Sequence, residues 1–151
     1  MRKVIITLCL VPAFVFANEN TANLTNSSAT QVSSGSGNKQ SVSAVNSTAS
    51  QTQSGIGNQQ SMTLNNANGK QIQSGAGNSQ SMTLHPGQSA TQIQDGIGNK
   101  FTVKLPCGAA ARNITARQTG MFNDQTVSFG NVAGKEKDCV KQPATSTISD
   151  K

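Results

Sequence analysis

Few side chains in this 151-residue chain could do bond-making chemistry. The single histidine, His85, lies in His85-Pro86-Gly87, which reads as a turn. A structural zinc site needs four convergent ligands, and one His with Cys107 and Cys139 makes three at most, so neither a metal nor another cofactor is expected. No carboxylates are paired at matched strand positions and no nucleophile has a base placed near it, so no catalytic residue is assigned and an enzyme is not expected. Gly-x-Gly suggests a phosphate cradle, but no buried strand precedes it and no helix pattern follows, and one binding site would not be copied four times. Of the three cysteines, Cys9 lies in an apolar N-terminal run expected to be removed, and the remaining pair, Cys107 and Cys139, is expected as a disulfide, because an even number in an exported chain favours pairing. In the chain-entropy model the closed loop of about thirty residues would contribute about 3 kcal/mol.

What the chain has in quantity is amides. Only 12% of residues are charged, 34% are hydrophobic and 3% aromatic, with no Trp or Tyr, so an oil-drop core is not expected. Chains rich in Gln, Asn, Ser and Gly either stay unstructured or bury their amides in stacked hydrogen-bonded ladders, and an ordered repeat decides for ladders. Such a repeat is present. Ser33-Ser34-Gly35-Ser36-Gly37-Asn38 recurs as Gln53-Ser54-Gly55-Ile56-Gly57-Asn58, as Gln73-Ser74-Gly75-Ala76-Gly77-Asn78 and as Gln94-Asp95-Gly96-Ile97-Gly98-Asn99. A degenerate fifth copy runs from Gln118 to Phe129, with Gly120 and Asn123 retained and Phe122 at the second glycine.

These motifs require strands on either side. After each Gly-x-Gly-Asn the chain alternates with the strand period: Asn58, Gln60, Met62 and Leu64 share one face, Gln59, Ser61 and Thr63 the other. Before it, Gln51 and Gln53 share a face, as do Gln71 and Gln73, and Gln92 and Gln94. The glycines supply the backbone angles of a tight arc, with Asn the next most tolerant residue. About twenty residues cannot enclose a core alone, so each unit must stack on its neighbours. The expected fold is all-β: a β-solenoid of four or five strand-arc-strand coils with a disulfide-stabilised tail. Columns of Gln53, Gln73 and Gln94, and of Asn38, Asn58, Asn78 and Asn99, are expected as amide ladders. Val42, Met62, Met82, Val103 and Val127 form the dry column, and Thr63, Thr83, Thr102 and Thr126 an outward one.

The chain divides into a signal peptide (1–17), an N-terminal segment (18–30), the repeat array (31–105) and a C-terminal region (106–151). Arg2-Lys3, the apolar run Val4 to Phe16 and Val15-Phe16-Ala17 read as a secretory signal cleaved after Ala17. The run is short for a membrane span, so the mature chain is not expected to cross a bilayer. Removing Arg2 and Lys3 takes the formal charge from +6 to +4. The remaining basic residues are scattered without a stacking platform, so nucleic acid is not an expected partner.

Gln-x-Gly-x-Gly-Asn at this period resembles the curlin repeat of bacterial curli subunits, over about residues 28 to 105. That pattern runs Ser, five residues, Gln-x-Gly-x-Gly-Asn-x-Ala, three residues, Gln. Here Ser27 and Ser47 supply the leading Ser, Ala67 and Gln88 replace it, and the Ala position holds Gln40, Gln60, Gln80 or Phe101. The closing Gln is Ala44, Leu64, Leu84 or Leu105, and the tail with Cys107 and Cys139 is a further departure. The resemblance implies a secreted subunit, passing through the periplasm, that self-assembles into cell-surface amyloid for adhesion and biofilm matrix. It also implies outer-membrane secretion and nucleation factors, and copies of itself or related fibre subunits, as partners; a minor or nucleating subunit is a variant. A monomeric β-solenoid adhesin or fibre accessory protein is the alternative.

Overall fold

Strands alternate with arcs of two kinds along the whole described chain. The computed structural model describes residues 17–105, 112–128 and 144–149. The expected signal segment up to Phe16, and Cys107 and Cys139 with their expected disulfide, lie outside these residues. The strands are β1 (Glu19–Thr25), β2 (Ser28–Ser36), β3 (Lys39–Val45), β4 (Thr48–Ile56), β5 (Gln59–Asn65) and β6 (Asn68–Ala76), followed by β7 (Ser79–Leu84), β8 (Ser89–Ile97), β9 (Lys100–Lys104), β10 (Arg112–Met121), β11 (Asp124–Ser128) and β12 (Ala144–Ser149). Odd strands form one parallel sheet in the order β1-β3-β5-β7-β9-β11, and even strands form the other, β2-β4-β6-β8-β10-β12. The chain winds through one sheet and then the other, making a β-solenoid of about five turns, and the described residues contain no helix.

Register follows the repeat. Val42, Met62, Met82, Val103 and Val127 are successive partners in the odd sheet. All five are buried, with Ala44, Leu64, Leu84 and Leu105 beside them. Facing them across the core is a column of small residues, Ala29, Ala49, Gly69 and Ala90, which widens to Ile114 in the last coil. Gly69 shows why they are small: a Cβ there would lie 2.7 Å from Met62 Sδ and 3.0 Å from Leu64 Cδ2. Among the described residues the first strand of the stack is β1, whose pairing with β3 carries the coil pattern to residues before 31.

One expected column does not exist. Thr63 pairs with Thr83, whose next partner is Lys104, whereas Thr102 and Thr126 continue the column of Ser61 and Ser81. The turn at His85-Pro86-Gly87 contains one residue more than the equivalent turns, so the partner separation becomes 21 residues where it had been 20.

Candidate functional site

Each coil reverses at two arcs, and asparagine governs both. In the arc between even and odd strands the first glycine has φ of 97° at Gly35, 108° at Gly55, 104° at Gly75 and 124° at Gly96. These glycines lie directly under one another: a Cβ on Gly35, Gly55, Gly75 or Gly96 would stand 1.8 to 2.0 Å from the carbonyl oxygen of the next glycine in the column. The second glycines, Gly37, Gly57, Gly77 and Gly98, have φ of 63° to 65°. At Gly57 and Gly77 the space is open, so backbone angle alone selects glycine there. Phe122 takes the same left-handed conformation, φ 56°, in the fifth coil.

The other arc was not recognisable from the Gly-x-Gly-Asn motif. It places Asn26, Asn46 and Asn66 at φ of 46° to 48° and, one coil on, Gly87 at φ 78°. The signal was present as Asn at a spacing of twenty, hidden by how common Asn is in this chain. Ser27 and Ser47 finish this arc: Ser47 Oγ donates to the Val45 carbonyl (2.6 Å) and accepts from the Ala67 N–H (3.1 Å).

Between the arcs run three glutamine columns. Gln53 Nε2 donates to Gln73 Oε1 (2.9 Å), Gln73 to Gln94 (2.7 Å) and Gln94 to Gln118 (2.7 Å). A second column runs Gln31, Gln51, Gln71, Gln92 with donor–acceptor distances of 3.0, 2.9 and 2.9 Å. A third runs Gln40, Gln60, Gln80 at 3.1 and 3.0 Å, and Phe101 ends it. In the last two columns the other amide hydrogen crosses the core: Gln51 donates to the Ser41 carbonyl (3.2 Å) and Gln60 to the Thr52 carbonyl (3.2 Å), tying one sheet to the other.

The asparagines do not form an amide ladder. Asn58 Oδ1 accepts the backbone N–H of Asn78 (3.0 Å), while its Nδ2 donates to the carbonyls of Ser54 (2.8 Å) and Gly75 (2.9 Å). Asn38, Asn78 and Asn99 repeat this arrangement, and Asn18 and Asn123 extend it by one at each end. The short asparagine side chain beside a tight arc reaches peptide groups before it reaches the next asparagine. It therefore clamps the arc and fixes its register on the neighbouring coil.

All hydrogen bonds in the glutamine columns point the same way, so the stack is polar. At its N-terminal end, Gln31 Oε1 is buried and has no hydrogen-bond partner among the described residues. The same holds for both amide atoms of Asn20 and for Ser33 Oγ. Asn20 and Ser33 are too short to reach the columns beneath them, which leaves Gln40 Oε1 and Gln53 Oε1 unpaired as well. Toward the opposite end Gln118 Nε2 is a buried donor without a partner among the described residues. Burying an amide atom unpaired costs about 1–3 kcal/mol, so these ends are the least satisfied parts of the described core. Among the described residues β1 and β2 are also sheet edges, as are β11 and β12.

The outer face of the odd sheet is small and hydroxylated. Thr21, Ser41, Ser61, Ser81, Thr102 and Thr126 form one column, and an open trough of about 350 Å³ lies over its first four members. Beside it Glu19 pairs with Lys39 (3.2 Å), and Lys100 with Asp124 (3.6 Å). Among the described residues no three His, Cys, Asp or Glu side chains converge as metal ligands, and no helix is long and apolar enough to cross a membrane. No family model matches the chain, and comparisons with curated proteins and with solved structures find no match.

Proposed function

We propose that this chain is a subunit of an extracellular fibre of the curli kind, exported and then added coil on coil through its sheet edges. One observation carries the reading: at the N-terminal end of the stack both sheets end in a strand, β1 and β2, that has no further strand beside it among the described residues. An open edge of unpaired N–H and C=O groups is a template for another strand. A further coil carrying glutamine in the Gln31 column would give Gln31 Oε1 the donor which Gln51, Gln71 and Gln92 already have, whereas the chain's own C-terminal strands carry Ala116 and Ile148 there, so a copy of this chain extends the sheets without supplying that donor. The repeated Gln-x-Gly-x-Gly-Asn and its resemblance to the curlin repeat support the same reading, and an adhesive matrix is the role it implies.

The test is direct. The purified mature chain, left at micromolar concentration, is expected to gain strand circular dichroism, bind amyloid dyes and give a fibre reflection near 4.8 Å. Preformed fibres added as seeds should shorten the lag. A chain that stays monomeric for days with seeds present would instead favour a monomeric adhesin, whose binding surface would be the hydroxyl column on the odd sheet.

A further inference from the structure

The two ends of the solenoid differ in sequence, and the in-chain register states what each would meet. Every odd strand continues the same columns, from Glu19–Asn20–Thr21–Ala22 on β1 to Asp124–Gln125–Thr126–Val127 on β11. A second copy that extends the sheet without changing this register places its β1 on β11. Three columns then match: Thr21 falls on Thr126, Ala22 on Val127, and Asn20 on Gln125. The last contact is informative, because both amide atoms of Asn20 are buried without a partner among the described residues. Asn123, at the end of the asparagine series, would likewise meet the Asn18 backbone, as Asn99 Oδ1 meets the Asn123 N–H (2.9 Å).

The fourth column does not match. It reads Glu19, Lys39, Gln59, Ser79, Lys100, Asp124, with an ion pair at each end and an acid at each terminus. Joining two copies brings Glu19 of one beside Asp124 of the other. Like charges directly opposite on neighbouring strands are destabilising. A shift of the joint by two residues would separate the acids, but would take the asparagine series and the glycine arcs out of alignment.

We infer that copies join head to tail in this register, β1 on β11, and that the Glu19–Asp124 contact is a built-in brake on the joint. The inference rests on the fibre reading above. It gives that reading a specific interface: an amide, hydroxyl and apolar seam that favours the joint, with one acidic contact that slows it.

The experiment is a charge-reversal cycle on the full mature chain, comparing seeded elongation at low ionic strength. Glu19→Lys and Asp124→Lys each convert the contact to an opposite-charge pair and should speed elongation about two- to fivefold, the range expected of exposed ion pairs. Glu19→Lys/Asp124→Lys restores a like-charge contact and should return to near the unsubstituted rate. Each substitution also breaks an ion pair within its own copy, but that effect is common to single and double variants, so the cycle isolates the contact between copies. The differences should shrink as salt screens the exposed charges. In fibres of the Glu19→Lys variant, a zero-length carbodiimide should link position 19 to Asp124. These positions lie on opposite edge strands of one sheet, so that link should be absent from unassembled protein.

Elongation that is equal in all four proteins, or strictly additive in the double variant with no 19–124 link, overturns the joint and leaves the fibre reading standing. Absence of seeded elongation in every protein overturns both.

Discussion

Gln73 and Asn78 are both buried amides on the same coil, yet they hold different things together. Gln73 accepts from Gln53 and donates to Gln94, so it acts between side chains within one column. Asn78 accepts the Asn99 N–H and donates to the Ser74 and Gly96 carbonyls, so it acts on the backbone of two coils. Gln73→Leu should therefore orphan one buried donor and one acceptor, and Asn78→Leu three peptide groups. At about 1–3 kcal/mol for each unsatisfied buried group, both variants should lose stability, Asn78→Leu more than Gln73→Leu. Ser61→Ala, on the exposed face of β5, should stay within about 0.5 kcal/mol. Urea midpoints of the monomeric chain, followed by circular dichroism, would rank the three. If Asn78→Leu proved the milder of the two core changes, the clamp described here would not be the main role of the asparagines.

At the scale of the arc, two glycines that look equivalent in the sequence are not. Gly75 combines φ of 104° with a Cβ position 1.9 Å from the Gly96 oxygen, whereas Gly77 has φ of 64° and nothing within 4 Å. Gly75→Ala is expected to cost about 3 kcal/mol or more, because rigid backbone must move on both coils. Gly77→Asn should cost about 1 kcal/mol or less, since Asn enters the left-handed region readily, as Asn46 and Asn66 do here. Thermal unfolding of the two variants separates a steric demand from a torsional one. The sequence carried the solenoid, the Gly-x-Gly-Asn arc and the inward and outward faces plainly, because all three repeat with the coil. Two features were not legible from it, and a third was misread. The second arc uses Asn26, Asn46 and Asn66, which resemble any other residue of an Asn-rich chain. The asparagines read as a ladder because spacing reveals that residues stack and is silent on whether a short amide reaches its neighbour or a nearby peptide group. The outward threonines were assigned to one column because only their shared face was read: Thr63 and Thr83 stand five residues after Asn58 and Asn78, but Thr102 and Thr126 only three after Asn99 and Asn123, so they lie in neighbouring columns.

Taken whole, the chain is a one-dimensional stack in which each coil touches only the coils beside it, so stability should be close to a sum of similar increments. That makes removal of a complete unit a sharper test of the architecture than any single substitution. Asn58 and Asn78 occupy the same position in coils separated by 20 residues. Deleting residues 59–78 joins Asn58 to Ser79 with every column intact: Gln53 would then meet Gln94, Gln51 would meet Gln92, and Met82 would follow Val42. The shortened chain should fold, keep its strand spectrum, and unfold with a urea dependence reduced by roughly one part in five or six, in proportion to the surface no longer buried. Deleting only residues 59–68 removes half as much chain but should be far more damaging. It takes out β5 and the following arc and brings the β6 sequence to the place of an odd strand, where Lys70 would fall in the buried Gln60 column and Ser74 in the Leu64 column while Gln71 and Gln73 turn outward. A globular core would rank these deletions by length, whereas a stack of interchangeable coils ranks them by whether a whole coil has been removed.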